Sequence, residues 1–460
     1  MKVAFHTLGC KVNHYETEAI KEAFVLRGAE IVNEEDFADA YVINTCTVTN
    51  IADRKSRQFI RRAKRINPDA VIAVTGCYAQ VAADEVAAIP EVDIVVGNRL
   101  KSEICGKVLE KLDGAAKDGS SAGNEPDAKG NEMSAADVHV LPRNELTFYE
   151  DMGKVESGAD GMSRAYIKIQ DGCDRFCSYC LIPYARGPVK SRPAKEIIEE
   201  TASLVSKGYR EIVLTGINTA LYGTEDGAEC SLSDLLTMLD ELDLPCGDFR
   251  IRLSSLEPTV VDNNNVEEII RHRRLCHHLH LSVQNGSDAV LKSMNRHYDR
   301  AEYLDIVKAI REYDPLYGIT TDIIVGFPGE TDEDFADTLD IVKEAEFGKV
   351  HVFRYSPRRG TAGAKLPGAV NGEIKIERAE ALEAASEKVA TEFKEKNLNT
   401  NHEVLIEEIE DGYATGYTGN YIKTYISTAG SEASGWPGQI LTVKPLGLFR
   451  DGILAEVAHR

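Results

Sequence analysis

The chain has 460 residues, of which 43% are hydrophobic and 28% charged, with a formal net charge of -22 at pH 7. That length exceeds one ordinary hydrophobic core and implies roughly three domains, and the composition is that of globular material, which excludes a disordered or fibrous chain. The acidic total argues against a polyanionic partner unless positive charge is concentrated somewhere.

The start, MKVAFHTLGC, lacks the basic and then apolar pattern of a secretory signal, and no later apolar run is long enough to span a bilayer. The expected location is the cytoplasm, with no membrane partner. In that reducing compartment ten cysteines imply metal ligands or catalytic thiols rather than a disulfide framework. Residues 1–105 alternate strand and helix patterns: KVAFHTLGC, YVINTCTV and VIAVTGCYA read as buried strands, and NHYETEAIKEAFVLRG and NIADRKSRQFIRRAKRI as helices closed by Gly28 and Pro68. Such alternation predicts a parallel sheet with helices on its faces. Within the second helix, residues 54–65 carry seven basic side chains and no acidic one. This is either a solvated helix face or the concentrated charge that RNA phosphates need.

Residues 106–163 shift to Ala, Gly, Ser, Asp and Asn, offer little to bury, and read as a linker or insert. Over 164–396 six strand candidates follow, RAYIKIQ, EIVLTGI, DFRIRLSSL, HHLHLSV, GITTDIIVG and KVHVFRYS, with helical pattern behind all but the last and a closing helix near 373–396. They predict a partial (β/α)6 barrel, short of the eight units of full closure. The tail, 397–460, has short alternating runs broken by Gly and reads as a small antiparallel β-barrel. The fold class is α/β, with this β-barrel appended.

The stretch DGCDRFCSYCLIPYARG, 171–187, follows the first barrel strand and carries Cys173, Cys177 and Cys180 at C-x3-C-x2-C spacing. A structural zinc site would want a fourth ligand close by, and no His or Cys follows within the usual reach. A 4Fe-4S cluster on three thiolates instead leaves one iron open to a small molecule. CDRFCSYC at the end of a barrel strand resembles the radical S-adenosylmethionine (SAM) motif. The resemblance implies that the open iron binds SAM, that the reduced cluster cleaves it to a deoxyadenosyl radical, and that Tyr179 lies near the adenine. Sites in such folds form at the C-terminal ends of strands, which makes Gly216, Asn218, Glu257, Ser282 and Gln284 candidate SAM contacts, although each also fits a cap or turn. GFPGET, 326–331, resembles the glycine-rich turn that approaches the adenine, or is a plain helix entry.

Cys10, Cys46 and Cys77 each end a strand pattern, in TLGC, NTC and TGC. The C-terminal ends of parallel strands share one edge, so these thiols converge and make a second incomplete site, implying a second cluster. Cys105, Cys230, Cys246 and Cys276 show no such pattern and read as small core side chains.

The three-cysteine α/β domain, the radical-SAM barrel and the β-barrel tail together resemble the methylthiotransferase family over nearly the whole chain outside 106–163. HTLGCKVNHYETEAI, VINTCTVT, VTGCYAQ, RIRLSSLEP, HLHLSVQNGSDAVLKSMNR and VFRYSPRRGT are similar to the branch acting on threonylcarbamoyladenosine at tRNA position 37, and the tail to its TRAM domain. Relatives acting on isopentenyladenosine tend to read YGCQMN at the first motif, and those acting on a ribosomal-protein aspartate LGCPKN; LGCKVN at 8–13 favours the first branch.

The resemblance implies two 4Fe-4S clusters and two uses of SAM, one methylating a cluster-bound sulfur and one supplying the radical that takes hydrogen from carbon 2 of the adenine. It also implies a tRNA anticodon stem-loop as partner; SAM cleavage needs a low-potential donor such as a flavodoxin or ferredoxin, and a monomer is the expected state. No side-chain acid or base need carry the difficult step. In the tail Tyr413, Tyr417, Tyr421 and Tyr425 with Lys423 offer faces for unpaired bases, yet the tail has eight acidic and four basic residues, and tyrosines filling a barrel core fit as well. Three other readings stay open: a radical-SAM enzyme with structural N-terminal cysteines and a small substrate, a non-catalytic iron-sulfur carrier or RNA-binding module, and the same chemistry on another substrate.

Overall fold

The computed structural model describes residues 1–47, 50–118, 136–155, 163–245, 247–258, 263–429 and 433–458. They form two compact units, Met1–Ser157 with Asp171–Asp174 and Cys180–Lys190, and Gly158–Gln170 with Arg175–Tyr179 and Ser191–Arg460.

The first unit is built on β1 (Lys2–Thr7), β2 (Glu30–Val32), β3 (Ala40–Thr45), β4 (Val71–Gly76), β5 (Ile94–Val96) and β6 (Asp137–His139), a parallel sheet of order β2-β1-β3-β4-β5-β6. Every residue of β3 and β4 is buried, as expected for central parallel strands covered on both faces. One face packs α1 (Lys11–Val25) and α5 (Ile104–Asp118) through Ile20, Phe24, Ile104 and Val108. The other packs α2 (Asn50–Ile66), α3 (Cys77–Val81) and α4 (Ala83–Ala87) through Phe59, Ile60, Tyr78 and Val86.

The stretch expected to be a linker therefore contributes a helix and an edge strand to this sheet. Ile104, Val108 and Leu112 recur at helical spacing and bury one stripe of α5, which the surrounding Ala, Gly and Asp had masked. Residues 119–135 and 156–162 of that stretch lie outside the described residues.

After β7 (Ala165–Lys168) come the two-residue strand β8 (Gln170–Asp171), the short helix α6 (Ile182–Arg186) of the first unit, and β9 (Lys190–Ser191). The second unit continues α7 (Ala194–Ser206), β10 (Glu211–Thr215), α8 (Leu232–Asp240), β11 (Arg250–Leu253), β12 (Ser255–Leu256), α9 (Asn263–Ile270), β13 (His278–Leu281), α10 (Asp288–Ser293), α11 (Arg300–Tyr313), β14 (Gly318–Val325), α12 (Asp332–Glu344), β15 (Lys349–Arg354) and α13 (Gly372–Lys396). These make the expected six barrel positions, all paired in parallel, in two sheets of order β11-β10-β7 and β12-β13-β14-β15. The third position serves both sheets: Leu253 pairs with Leu214, and two residues on Ser255 pairs with His280. Reciprocal capping boxes, Ser231 with Asp234, Asp299 with Glu302 and Thr331 with Asp334, fix where α8, α11 and α12 begin.

The tail forms a closed barrel from β16 (His402–Glu410), β17 (Tyr413–Thr418), β18 (Lys423–Ser427), β19 (Ile440–Phe449) and β20 (Gly452–Val457). Closure departs from a purely antiparallel arrangement at one seam, because β18 and β20 run parallel. Val404, Ile406, Ala414, Ile426, Val443 and Ala455 fill its core.

Buried charge joins tail and partial barrel within this unit. Glu211, without solvent contact, accepts from Arg250 Nε at 2.6 Å and from Arg252 Nε at 2.9 Å, and Arg164 lies 3.6 Å away. The same arginines donate to tail carbonyls, Arg250 to Tyr417 at 2.9 Å and Arg252 to Gly419 at 3.1 Å. Burial alone would raise the Glu211 pKa, but Arg252, Arg250 and Arg164 outweigh it and hold the carboxyl well below the ordinary carboxylate range. Tyr417 and Tyr421 stack on each other at 4.8 Å, and Tyr421 stacks on His278 at 4.5 Å, so both pack inside this unit. Tyr413 and Tyr425 instead cluster with Phe449 beneath the Arg450 guanidinium.

Candidate functional site

The first trio of thiols sits where β1, β3 and β4 end. Cys10 is the N-cap of α1, Cys46 follows β3 buried, and Cys77 opens α3 buried. The glycines before Cys10 and Cys77 have φ of 113° and 99°, which L side chains rarely adopt. A Cβ on Gly9 would lie 2.8 Å from the Cys46 Cβ, so the chain at Cys10 passes directly over Cys46. A Cβ on Gly76 would lie 2.2 Å from the Thr45 carbonyl oxygen. Gly76→Ala is therefore expected to lower the unfolding free energy by about 2 kcal/mol or more, measured by urea titration. Cys10 is open to solvent on one side while protein crowds the thiol on the others; that crowding raises its pKa, Arg186 opposes the rise, and Cys77 adds to it.

Beneath these thiols lies a buried network no local pattern announces. Arg186 donates to Glu16 Oε1 at 2.5 Å and to Asn13 Oδ1 at 2.6 Å, and lies 3.4 Å from Asp171. Lys101 bonds the other oxygen of Glu16, and Arg99 donates to Asp171 at 2.9 Å. None of these five charged side chains has solvent exposure. By formal charge three cations face two carboxylates, although burial lowers the Lys101 pKa and Glu16 opposes that fall. Cys77 adds an amide neighbour, with Asn98 Nδ2 at 3.7 Å from its sulfur.

In the second trio all three cysteines are partly buried. Within the first unit Cys173 N–H donates to Gly187 O at 3.1 Å, and the Cys180 sulfur accepts from Ile182 N–H at 3.4 Å. Within the second unit the Cys177 sulfur accepts from Arg296 Nη1 at 3.3 Å. Among the described residues neither trio, nor any other three His, Cys, Asp or Glu side chains, is drawn into a metal-ligand cluster.

The candidate strand-end residues group around Arg296. It lies 3.4 Å from Glu257 Oε1 and donates to the Ser282 carbonyl at 3.1 Å. Asn218 accepts from Glu257 N–H at 3.2 Å, and its own N–H donates to Gln170, whose side chain leaves no room for a Cβ on Gly216. Ser282 Oγ donates to Asp322 at 3.2 Å. Gln284 has a φ of 68°, and its backbone bonds Ile324 and the same Asp322 that Ser282 reaches. Tyr179 packs with Phe327 of GFPGET, Tyr355 and Met294 in one apolar cluster. Glu330 of the same turn takes the Gly326 N–H at 2.9 Å and pairs with Arg378, so the turn also serves as a braced helix entry.

Comparison with known proteins places these features. The family model described as "Uncharacterized protein family UPF0004" matches residues 2–97, and that of the Radical SAM superfamily matches 167–342. The threonylcarbamoyladenosine tRNA methylthiotransferase MtaB of Bacillus subtilis is 42% identical over 92% of this chain and 89% of its own length. The chain belongs to the radical-SAM methylthiotransferase family. The Aquifex aeolicus protein of the same name is 39% identical over 89% of this chain and 93% of its own. A tRNA-2-methylthio-N(6)-dimethylallyladenosine synthase of Pelotomaculum thermopropionicum is 35% identical over 88% and 86%. Among solved structures, the radical SAM methyltransferase TsrM of Kitasatospora setae, with cobalamin and a [4Fe-4S] cluster, aligns over 90% of this chain and 80% of that one with TM-score 0.53 at 15% identity, a likeness of fold.

A methylthiotransferase of this family works with SAM and 4Fe-4S clusters, and the donor sets here suit them. Thiolate sulfurs are the usual cluster ligands, and the N–H groups on Cys177, Cys180 and Cys77 are the kind that tune a cluster's potential. Glu257 Oε2 is buried and accepts no hydrogen bond among the described residues; Arg175 Nε lies 3.5 Å from it, and a ligand N–H could take the position in between. Arg296, Arg186 and Glu16 were not singled out from the sequence. Arg296 closes the stretch HLHLSVQNGSDAVLKSMNR, which assigns it no role, and Glu16 and Arg186 meet across 170 positions. Cys105 and Cys276 are buried core residues as expected, Cys230 is partly buried beside Tyr222, and Cys246 lies outside the described residues.

Proposed function

We propose that Cys173, Cys177 and Cys180 hold the cluster that binds SAM, and that Cys10, Cys46 and Cys77 hold the auxiliary one. The protein is a tRNA methylthiotransferase that adds a methylthio group to N6-threonylcarbamoyladenosine; the reaction is at carbon 2 of the adenine, beside the anticodon. The observation that carries this is the 42% identity to the B. subtilis enzyme across 92% of the chain. When bound, the clusters and SAM supply the deoxyadenosyl radical and the methylated sulfur. The chain's own residues position and shield. Arg296 fixes Cys177 against Glu257, Glu257 with Asn218 and Ser282 would offer polar atoms to SAM, and Tyr179 with Phe327 forms an apolar wall that would keep water from its adenine side. The Arg186 guanidinium under Cys10 and Cys77 offsets the negative charge of thiolates there.

A low-potential flavodoxin or ferredoxin supplies electrons to a monomeric enzyme in the cytoplasm. Among the described residues no helix is long and apolar enough to cross a membrane. Mass spectrometry of tRNA nucleosides from a strain lacking the gene tests the assignment. The methylthio form of threonylcarbamoyladenosine is expected to vanish and the unmodified nucleoside to accumulate; an unchanged profile would overturn it.

A further inference from the structure

We infer that the groove beside α2 of the first unit is a track for the phosphates of the substrate RNA. The inference rests on the tRNA reading above and adds the place where that RNA is gripped.

The seven basic residues of 54–65 fall into two sets. Arg57 bonds Tyr78 at 2.7 Å and Glu85 at 3.1 Å, Arg62 pairs with Glu35 at 2.7 Å, and Lys64 with Asp93 at 3.3 Å. Among the described residues no carboxylate pairs with Arg54, Lys55, Arg61 or Arg65, all exposed; Arg65 donates only to the Arg61 carbonyl. Positions 54, 61 and 65 share one helix face with Gln58, and at about 1.5 Å per residue they extend over roughly 16 Å. A fully solvated helix in a chain of net charge -22 has carboxylates in abundance with which to neutralise such a row. Here the acidic neighbours cover only the flanks.

Arg61 and Arg65 of this row border a groove of about 840 Å³. Lys55, Arg61 and Arg65 line it with Arg62, which Glu35 neutralises; Glu34 and Glu91 are its acidic members, so three unpaired cations face two carboxylates. Its floor is rigid, because the His6 ring stacks on Phe59 at 3.8 Å and 6°, with Nδ1 held by Glu34 at 2.6 Å. Leu8 also lines the groove, two residues before Cys10. A strand of RNA laid along the row is thereby delivered to the Cys10 end of β1. A spaced row of unpaired guanidinium groups suits a polyanion better than a single small anion, which would need convergent donors.

The test measures binding of threonylcarbamoylated tRNA by the full-length, cluster-loaded protein at several salt concentrations. For Lys55→Gln/Arg61→Gln/Arg65→Gln together, affinity is expected to fall at least tenfold, and the slope of log affinity against log salt to shrink by about 2, since each phosphate contact contributes roughly 0.7 to 0.9. SAM cleavage without tRNA and the melting temperature are expected to be unchanged. Arg57→Gln/Arg62→Gln, which removes charges already neutralised, is expected to change the slope by less than 1. A triple variant with the original affinity and slope, or a control pair losing as much slope as the triple, would overturn the inference while leaving the tRNA reading intact. Failure of the unaltered protein to bind or convert tRNA would instead overturn that reading.

Discussion

Alanine at Cys10, Cys46 and Cys77 together is expected to leave one four-iron cluster per chain in place of two, to preserve SAM cleavage to deoxyadenosine, and to abolish methylthio transfer. Alanine at Cys173, Cys177 and Cys180 is expected to end deoxyadenosine formation altogether. The asymmetry follows from the separate roles proposed for the two trios, the first on a sheet edge over the Glu16, Lys101 and Arg186 network and the second in the 173–180 motif. Iron and acid-labile sulfide counts after anaerobic reconstitution, with chromatography of deoxyadenosine, check both halves. A first-trio variant that still modifies tRNA would show that those thiols are structural.

Glu211→Gln is expected to cost about 3–5 kcal/mol of stability, because it leaves Arg164, Arg250 and Arg252 without their buried counter-charge. The sign with pH follows from its depressed pKa. A carboxyl held below its unfolded value contributes stability fully present above about pH 4.5 and lost as pH falls toward the folded-state value. The unaltered protein should thus lose stability on acidification in that range, and the Gln variant should lose less there. Since Arg250 and Arg252 also hold carbonyls of the tail, limited proteolysis should release residues near 397–460 earlier in the variant. Urea titrations at pH 7 and pH 4 give the energies, and unchanged protease resistance of the tail would count against the bracing role.

Much of this was legible because it is local. The buried runs AYVINT and VIAVTG, the glycine before Cys10 and Cys77, and the 173–180 spacing each state their structure within a few residues. Helix α5 and strand β6 were not read, because composition over 106–163 outweighed a short apolar stripe whose worth depends on a sheet edge supplied elsewhere. Ion pairs such as Arg186 with Glu16 depend on where the fold brings distant positions, which no window of sequence contains. The four tyrosines of the tail divided for the same reason: two found barrel partners in His278, Arg164 and Arg252, and two found Phe449 and Arg450.

The interleaving of the two units bears on biosynthesis. Because Asp171–Asp174 and Cys180–Lys190 belong to the first unit, a nascent chain of 157 residues still lacks Asp171, the buried partner of Arg99, and Arg186, which shares Glu16 with Lys101. That unit must wait on the ribosome until residue 186 emerges, by which time the first barrel strand is already made. Expression of an isolated N-terminal fragment should therefore give poorly soluble material, and gene fusions that part the halves between 157 and 190 should fail for the same reason.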